Sequence, residues 1–145
     1  MLNSTVETTY LIAGGSDTPV DLLNKLAQHA DAKIRARVAE NPNTPFWTVA
    51  LLVTDGNDEV RLSAAANPRL PKIFQVQLAN DPSDDVRYAL AEDFLIPLDV
   101  LKILATDDNV YVQHRALKTL STLGNGTESS REIHTYNPAP SFVAA

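Results

Sequence analysis

The residues best placed to do chemistry form two columns. Arg35, Arg61 and Arg87 are 26 residues apart, with Gln113 in the fourth place, and six residues before each stand His29, Asp55, Asp81 and Asp107. Such columns admit three chemistries. The arginines alone would make an anion-binding stripe. The aspartates alone would bind a cation, and Asp55-Gly56-Asn57-Asp58-Glu59 looks like part of a calcium loop, although Val60 and Ala66 stand where that loop needs Gly and Glu. Together the columns would neutralise each other, because a guanidinium withdrawn from water needs a partner. The turn recurs, altered, in every unit, which favours this third account. Asp55, Arg61, Asp81, Arg87 and Asp107 are therefore expected to form a ladder within or between units, with rungs missing at His29 and Gln113.

Little other chemistry can be assembled. The histidines are His29, His114 and His134, at no spacing that suits a metal, and no Ser stands with one as a nucleophile and base pair. With no cysteine, disulfides, thiolate metal sites and thiol nucleophiles are excluded. The expectation is a non-enzyme with no catalytic, cofactor-binding or metal-binding residues and no cofactor. The net charge of −6 weighs against a grip on phosphate backbones. No apolar run reaches the length of a membrane span, and the first ten residues lack the pattern of a secretory signal. A soluble, cytoplasmic protein is expected, as a monomer or weak homodimer.

The elements that position the columns follow from the same period. Pro19, Pro45, Pro71 and Pro97 keep the 26-residue interval, as do Leu26, Leu52, Leu78 and Leu104; Asn41 and Asn67 keep it with Asp93 in the third place. Self-similarity this strict predicts stacked repeats. Each of four units, spanning 18–121, opens at Thr-Pro or a substitute. Thr is read as an N-cap and Pro as the first helical residue of a helix A of about ten residues. A polar turn leads to helix B, which ends at Asn-Pro and has so little room that part of it is expected to be 3₁₀. Residues 1–17 lie outside the period and are read as a cap covering the first unit, as a strand or a short helix; a strand would leave an edge open to a second copy. Residues 122–145 read as a flexible tail, in which Tyr136 and Phe142 could serve a docking peptide.

The frame TP, L and LA, D, VR, A and NP resembles the variant leucine-rich repeats of bacteria and, more broadly, HEAT and armadillo repeats. The resemblance covers 18–121 and implies an all-α, right-handed solenoid of four 26-residue units. It also implies a structural use for the Asp and Arg columns, since HEAT repeats build an inter-repeat ladder from such a pair. One member of the variant family carries a cysteine cluster for an iron–sulfur centre, which this chain cannot form.

The variable face of helix B is then the candidate surface. If Val60, Ala64 and their equivalents point inward, the outward stripe holds Arg37 in the first unit, Leu62 in the second, Tyr88 in the third, and Tyr111, His114 and Arg115 in the fourth. These are the expected partner-binding residues, for another protein or a peptide. A nucleic acid held by Lys33, Arg35, Arg37, Arg115 and Lys118 is the alternative, and a helical-repeat enzyme the third reading. A rival apolar patch is Phe46 and Trp47 with Ile73.

Overall fold

The structure, a computed structural model, describes residues 4–128, among which are nine α-helices and no strand. The helix α1 (Ser4–Ala13) comes first. Four short helices then each start directly after a proline: α2 (Val20–Leu26), α4 (Phe46–Leu52), α6 (Lys72–Leu78) and α8 (Leu98–Leu104). Between and after them lie α3 (Ala32–Glu40), α5 (Asp58–Ala65), α7 (Asp84–Glu92) and α9 (Val110–Glu128). Both series of helix starts keep the 26-residue interval. No helix among the described residues is long and apolar enough to cross a membrane.

The local structure settles one open alternative and departs from expectation elsewhere. The N-terminal segment is a helix, so the edge-strand alternative falls away. Helix A has seven residues, and its proline is the N-cap, with no side-chain cap bond. Thr18 and Thr44 do not cap it. Their hydroxyls instead donate backwards, to the carbonyls of Ile12 (2.5 Å) and Val38 (2.6 Å), tying each unit to the helix before it. Leu70 and Ile96, in the equivalent places, are buried apolar plugs.

Helix B is regular α-helix over eight or nine residues in α3, α5 and α7, without the expected 3₁₀ stretch. It has room because its N-cap lies inside the polar turn: Asp31 accepts from the Lys33 amide, and Asn57 from those of Glu59 and Val60. The fourth helix B, α9, runs on to Glu128, into the segment from residue 122 that reads as a flexible tail. Thr119-Leu120 stands where the first two units have Asn-Pro, so no proline interrupts the helical bonds there. The rest of the expected tail, 129–145 with Tyr136 and Phe142, lies outside the described residues.

One apolar core runs through the molecule. Leu23, Ile34 and Val38, then Val49, Leu52, Val60 and Ala64, then Leu78, Val86 and Leu90, then Leu101, Leu104, Val112 and Ala116 are all buried. A seven-residue helix is too short to hold itself in water, so packing of this face supplies the stability. The longer helices pack in sequence, α1 on α3, α3 on α5, α5 on α7 and α7 on α9. The α5–α7 contact is visibly slighter than its neighbours on either side.

Candidate functional site

The two columns meet between units. Arg35 holds Asp55 through Nε and Nη2 at 2.7 and 2.9 Å, Arg61 holds Asp81 at 2.8 and 3.0 Å, and Arg87 holds Asp107 at 2.7 and 3.1 Å. Each pair is the planar two-bond fork that Arg makes with a carboxylate. The third guanidinium nitrogen, Nη1, donates to the carbonyl six residues back: His29, Asp55 or Asp81. The aspartates in turn accept the amides of Asn57, Ser83 and Asn109 through Oδ1, shaping the turn before helix B.

Hydrogen bonding from Arg35 is the main reason that Asp55 sits below the ordinary carboxylate range, outweighing its burial, and Arg87 acts likewise on Asp107. Bonding to the aspartates correspondingly raises the proton affinity of Arg35, Arg61 and Arg87. These arginines are consumed in structure and offer no stripe to anions. At the open end His29 still shapes its turn, its Nδ1 accepting the Asp31 amide at 3.0 Å. Asp55 is likewise committed, and no group of three or more metal-ligating side chains is placed to hold an ion among the described residues.

A second ladder, whose role was not read from the sequence, runs beside the first. Asn41 donates its amide to the carbonyls of Ala13 and Gly15, both at 2.9 Å. Asn67 does the same to Ala39 (2.5 Å) and Asn41 (3.2 Å), and Thr119 donates to Ala91 (2.6 Å). The 26-residue recurrence of Asn was the available signal. What it could not reveal was the partner, a backbone carbonyl one unit earlier.

The helix B face carries the predicted binding residues, and the structure joins them unevenly. Arg37 and Leu62 line one open cavity of about 530 Å³ with Tyr10, Lys33, Glu40 and Ser63. Tyr10 comes from α1 and was not anticipated as part of this face. The Arg37 guanidinium lies over its ring at 5.3 Å, a cation–π contact, and donates to Glu40 at 2.9 Å; Glu40 also accepts from Ser63. Gly14 makes room for this arrangement. A Cβ there would stand 2.2 Å from Arg37 Nε.

Farther along, Tyr88 is partly exposed and Tyr111 is 75% exposed. His114 is exposed, and Arg115 lies half-buried with Nε 3.6 Å from Glu92. These four sit on α7 and α9, outside the cavity that Arg37 and Leu62 share. Of the cations required by the nucleic-acid reading, Arg35 and Arg37 are bound by carboxylates and Arg115 lies beside one. The rival patch is exposed too: Phe46 and Trp47 pack edge to face at 5.2 Å, with Trp47 57% exposed and Ile73 exposed on the following short helix.

No family model matches the chain, and neither a curated protein nor a solved structure matches it.

Proposed function

We propose that the chain is a right-handed helical solenoid of four units, 18–121, capped by α1, and that it acts without catalysis by holding another protein or a peptide on its helix B face. The observation that carries this reading is the open cavity where Tyr10, Arg37 and Leu62 meet. It combines an aromatic ring, a half-buried guanidinium and an aliphatic side chain on helices that are already ordered. A surface of this kind binds with little ordering cost, and Tyr and Arg are the residue types that anchor interfaces.

Two ladders of inter-unit hydrogen bonds support the stacked-repeat half of the reading. They fix each helix B against the next, and stacked units of this sort expose an extended face. The resemblance to variant leucine-rich and HEAT-like repeats points the same way. The charge pattern favours protein over nucleic acid as the partner, because ion pairing consumes most of the arginines.

The test is affinity capture from the native host with the intact chain, with Leu62→Asp and with Tyr88→Ala, each variant first checked for an unchanged amide spectrum. Loss of a captured protein in the variants is the expected result. Folded variants that retain every partner would place the interface elsewhere, and the Phe46–Trp47 patch would be the next to alter.

A further inference from the structure

The second ladder has one break, and its position is marked by chemistry. Ala13, Ala39, Ala65 and Ala91 occupy one 26-residue column, each in the last turn of a helix. The carbonyls of Ala13, Ala39 and Ala91 receive a side-chain donor from the following unit: Asn41, Asn67 and Thr119. Ala65 should receive one from residue 93, but residue 93 is Asp. It keeps half of the asparagine's role, since its Oδ1 accepts the Leu95 amide at 2.8 Å just as the Asn41 and Asn67 side chains accept the amides of Asn43 and Arg69. The other half is lost. An ionised carboxylate accepts only, so it has no proton to give to the carbonyls of Ala65 and Asn67.

A cleft lies at this position. Between α5 and α7 is a cavity of about 420 Å³, lined by both Ala65 and Asp93. Ala66, Pro68, Ala89 and Leu95 give it largely apolar walls, and Leu95 is 90% exposed at its mouth. Among the described residues neither Arg69 nor Arg115 forms an ion pair with Asp93, and Glu92 on the rim has Arg115 beside it at 3.6 Å. The unit that contains Asp93 also has the largest excess of acidic residues, with Asp81, Asp84, Asp85, Glu92 and Asp93 against Lys72 and Arg87.

We infer that this cleft receives the side chain of a lysine from a bound peptide. Its stem would lie along the alanine, proline and leucine walls, as long cationic side chains do on apolar surface. Its ammonium group carries three donors and would supply to the Asp93 carboxylate, the Ala65 carbonyl and the Asn67 carbonyl, which already accepts the Leu70 amide, the protons that Asn41 and Asn67 provide at the first two junctions. A positive charge suits this junction and none of the others, because only here is a carboxylate the acceptor.

The inference rests on the reading of the helix B face as a peptide surface: Ala66 and Glu92, which line the cleft, follow Leu62 and Tyr88 of that face by one helical turn. Its test is separate. The full chain is titrated with acetyl-Ala-Ala-Lys-Ala-Ala-amide and with the norleucine counterpart, following backbone amides by NMR, and both titrations are repeated on Asp93→Asn. The lysine peptide should move the amides around residues 65–69 and 93–95 and saturate, with norleucine weaker by about tenfold or more, the scale of one charge-assisted contact. Asp93→Asn should abolish the difference and at the same time raise the melting temperature, because its amide can now reach the Ala65 carbonyl.

Equal responses to the two peptides, shifts scattered over the acidic surface, or undiminished lysine preference in Asp93→Asn would each overturn the assignment. So would the absence of any response. If Leu62→Asp still loses its captured partner in that event, the cleft alone has failed and the surface reading stands.

Discussion

Arg61 reaches Asp81, twenty residues along the chain, with two parallel hydrogen bonds of 2.8 and 3.0 Å, while its remaining nitrogen donates to the Asp55 carbonyl at 2.9 Å. One guanidinium thus joins a turn in its own unit to the turn of the next. The Asp81 side chain is only 4% exposed, so its charge is tolerable only while Arg61 is present. Arg61→Ala should cost about 3–5 kcal/mol in urea unfolding, the usual penalty for stranding a buried charge. The double variant Arg61→Ala/Asp81→Ala should cost less than the sum of the single ones. Arg37→Ala, which breaks a half-exposed pair with Glu40, should cost under about 1 kcal/mol from that pair. Equal losses from the Arg61 and Arg37 variants would remove the ladder from the account of stability.

Acid should act through the same rungs. Asp55 and Asp107 are held below the ordinary carboxylate range by Arg35 and Arg87. A carboxylate whose pKa is lowered on folding binds fewer protons in the native state than in the unfolded one. Its stabilisation is complete above the unfolded value, about pH 4, and is lost as pH falls through the lower folded value. The contribution of these rungs should therefore be flat from neutrality to about pH 5 and decline below about pH 4. The checking measurement is the stability difference between the native chain and Asp107→Asn, determined against pH; it should shrink only in the acid range. A difference that changes between pH 6 and 8 would mean that another group is responsible.

The asparagine ladder makes a sharper demand, because it distinguishes two nearly isosteric side chains. Asn41→Asp keeps the acceptor for the Asn43 amide but removes the donors to the Ala13 and Gly15 carbonyls. The expected loss is about 1–3 kcal/mol, the cost of leaving buried polar groups unsatisfied, and hydrogen exchange should rise first in α1, which those bonds tie to the rest. Asn41→Ala should lose at least as much. If Asn41→Asp is neutral, the donor half of the side chain has no role.

These relations mark what periodic residues can disclose. A 26-residue interval in proline, leucine and arginine exposes helix starts, core positions and the ion-pair columns, because each residue type is selected by one local need. It does not say whether Asp55 pairs with Arg61 in its own unit or Arg35 in the one before; only the displacement between neighbouring units decides for Arg35. Thr44 reads as a cap because threonine before proline usually is one, yet its hydroxyl turns back to the Val38 carbonyl. Arg37 and Leu62 were legible as surface residues from helical spacing. Tyr10 was not, since it lies outside the repeat and reaches the face only when α1 packs on α3.

Gly14 provides the last prediction, because in the structure it acts as a space for Arg37. A methyl group at this position would lie 2.2 Å from Arg37 Nε and 2.6 Å from its Cζ, a distance that no van der Waals contact permits. Gly14→Ala should therefore leave the α1 backbone helical, since its φ is not in the left-handed region, but drive the guanidinium off the Tyr10 ring. The NMR signature is loss of the ring-current shift on the Arg37 side-chain protons with little change in the backbone amides of α5 and α7. Arg37→Lys, with a smaller head group, should partly relieve the clash when combined with Gly14→Ala. If Gly14→Ala leaves the Arg37 protons unmoved, the arginine does not lie against Gly14, and the shape of the cavity shared by Tyr10 and Leu62 would have to be redrawn.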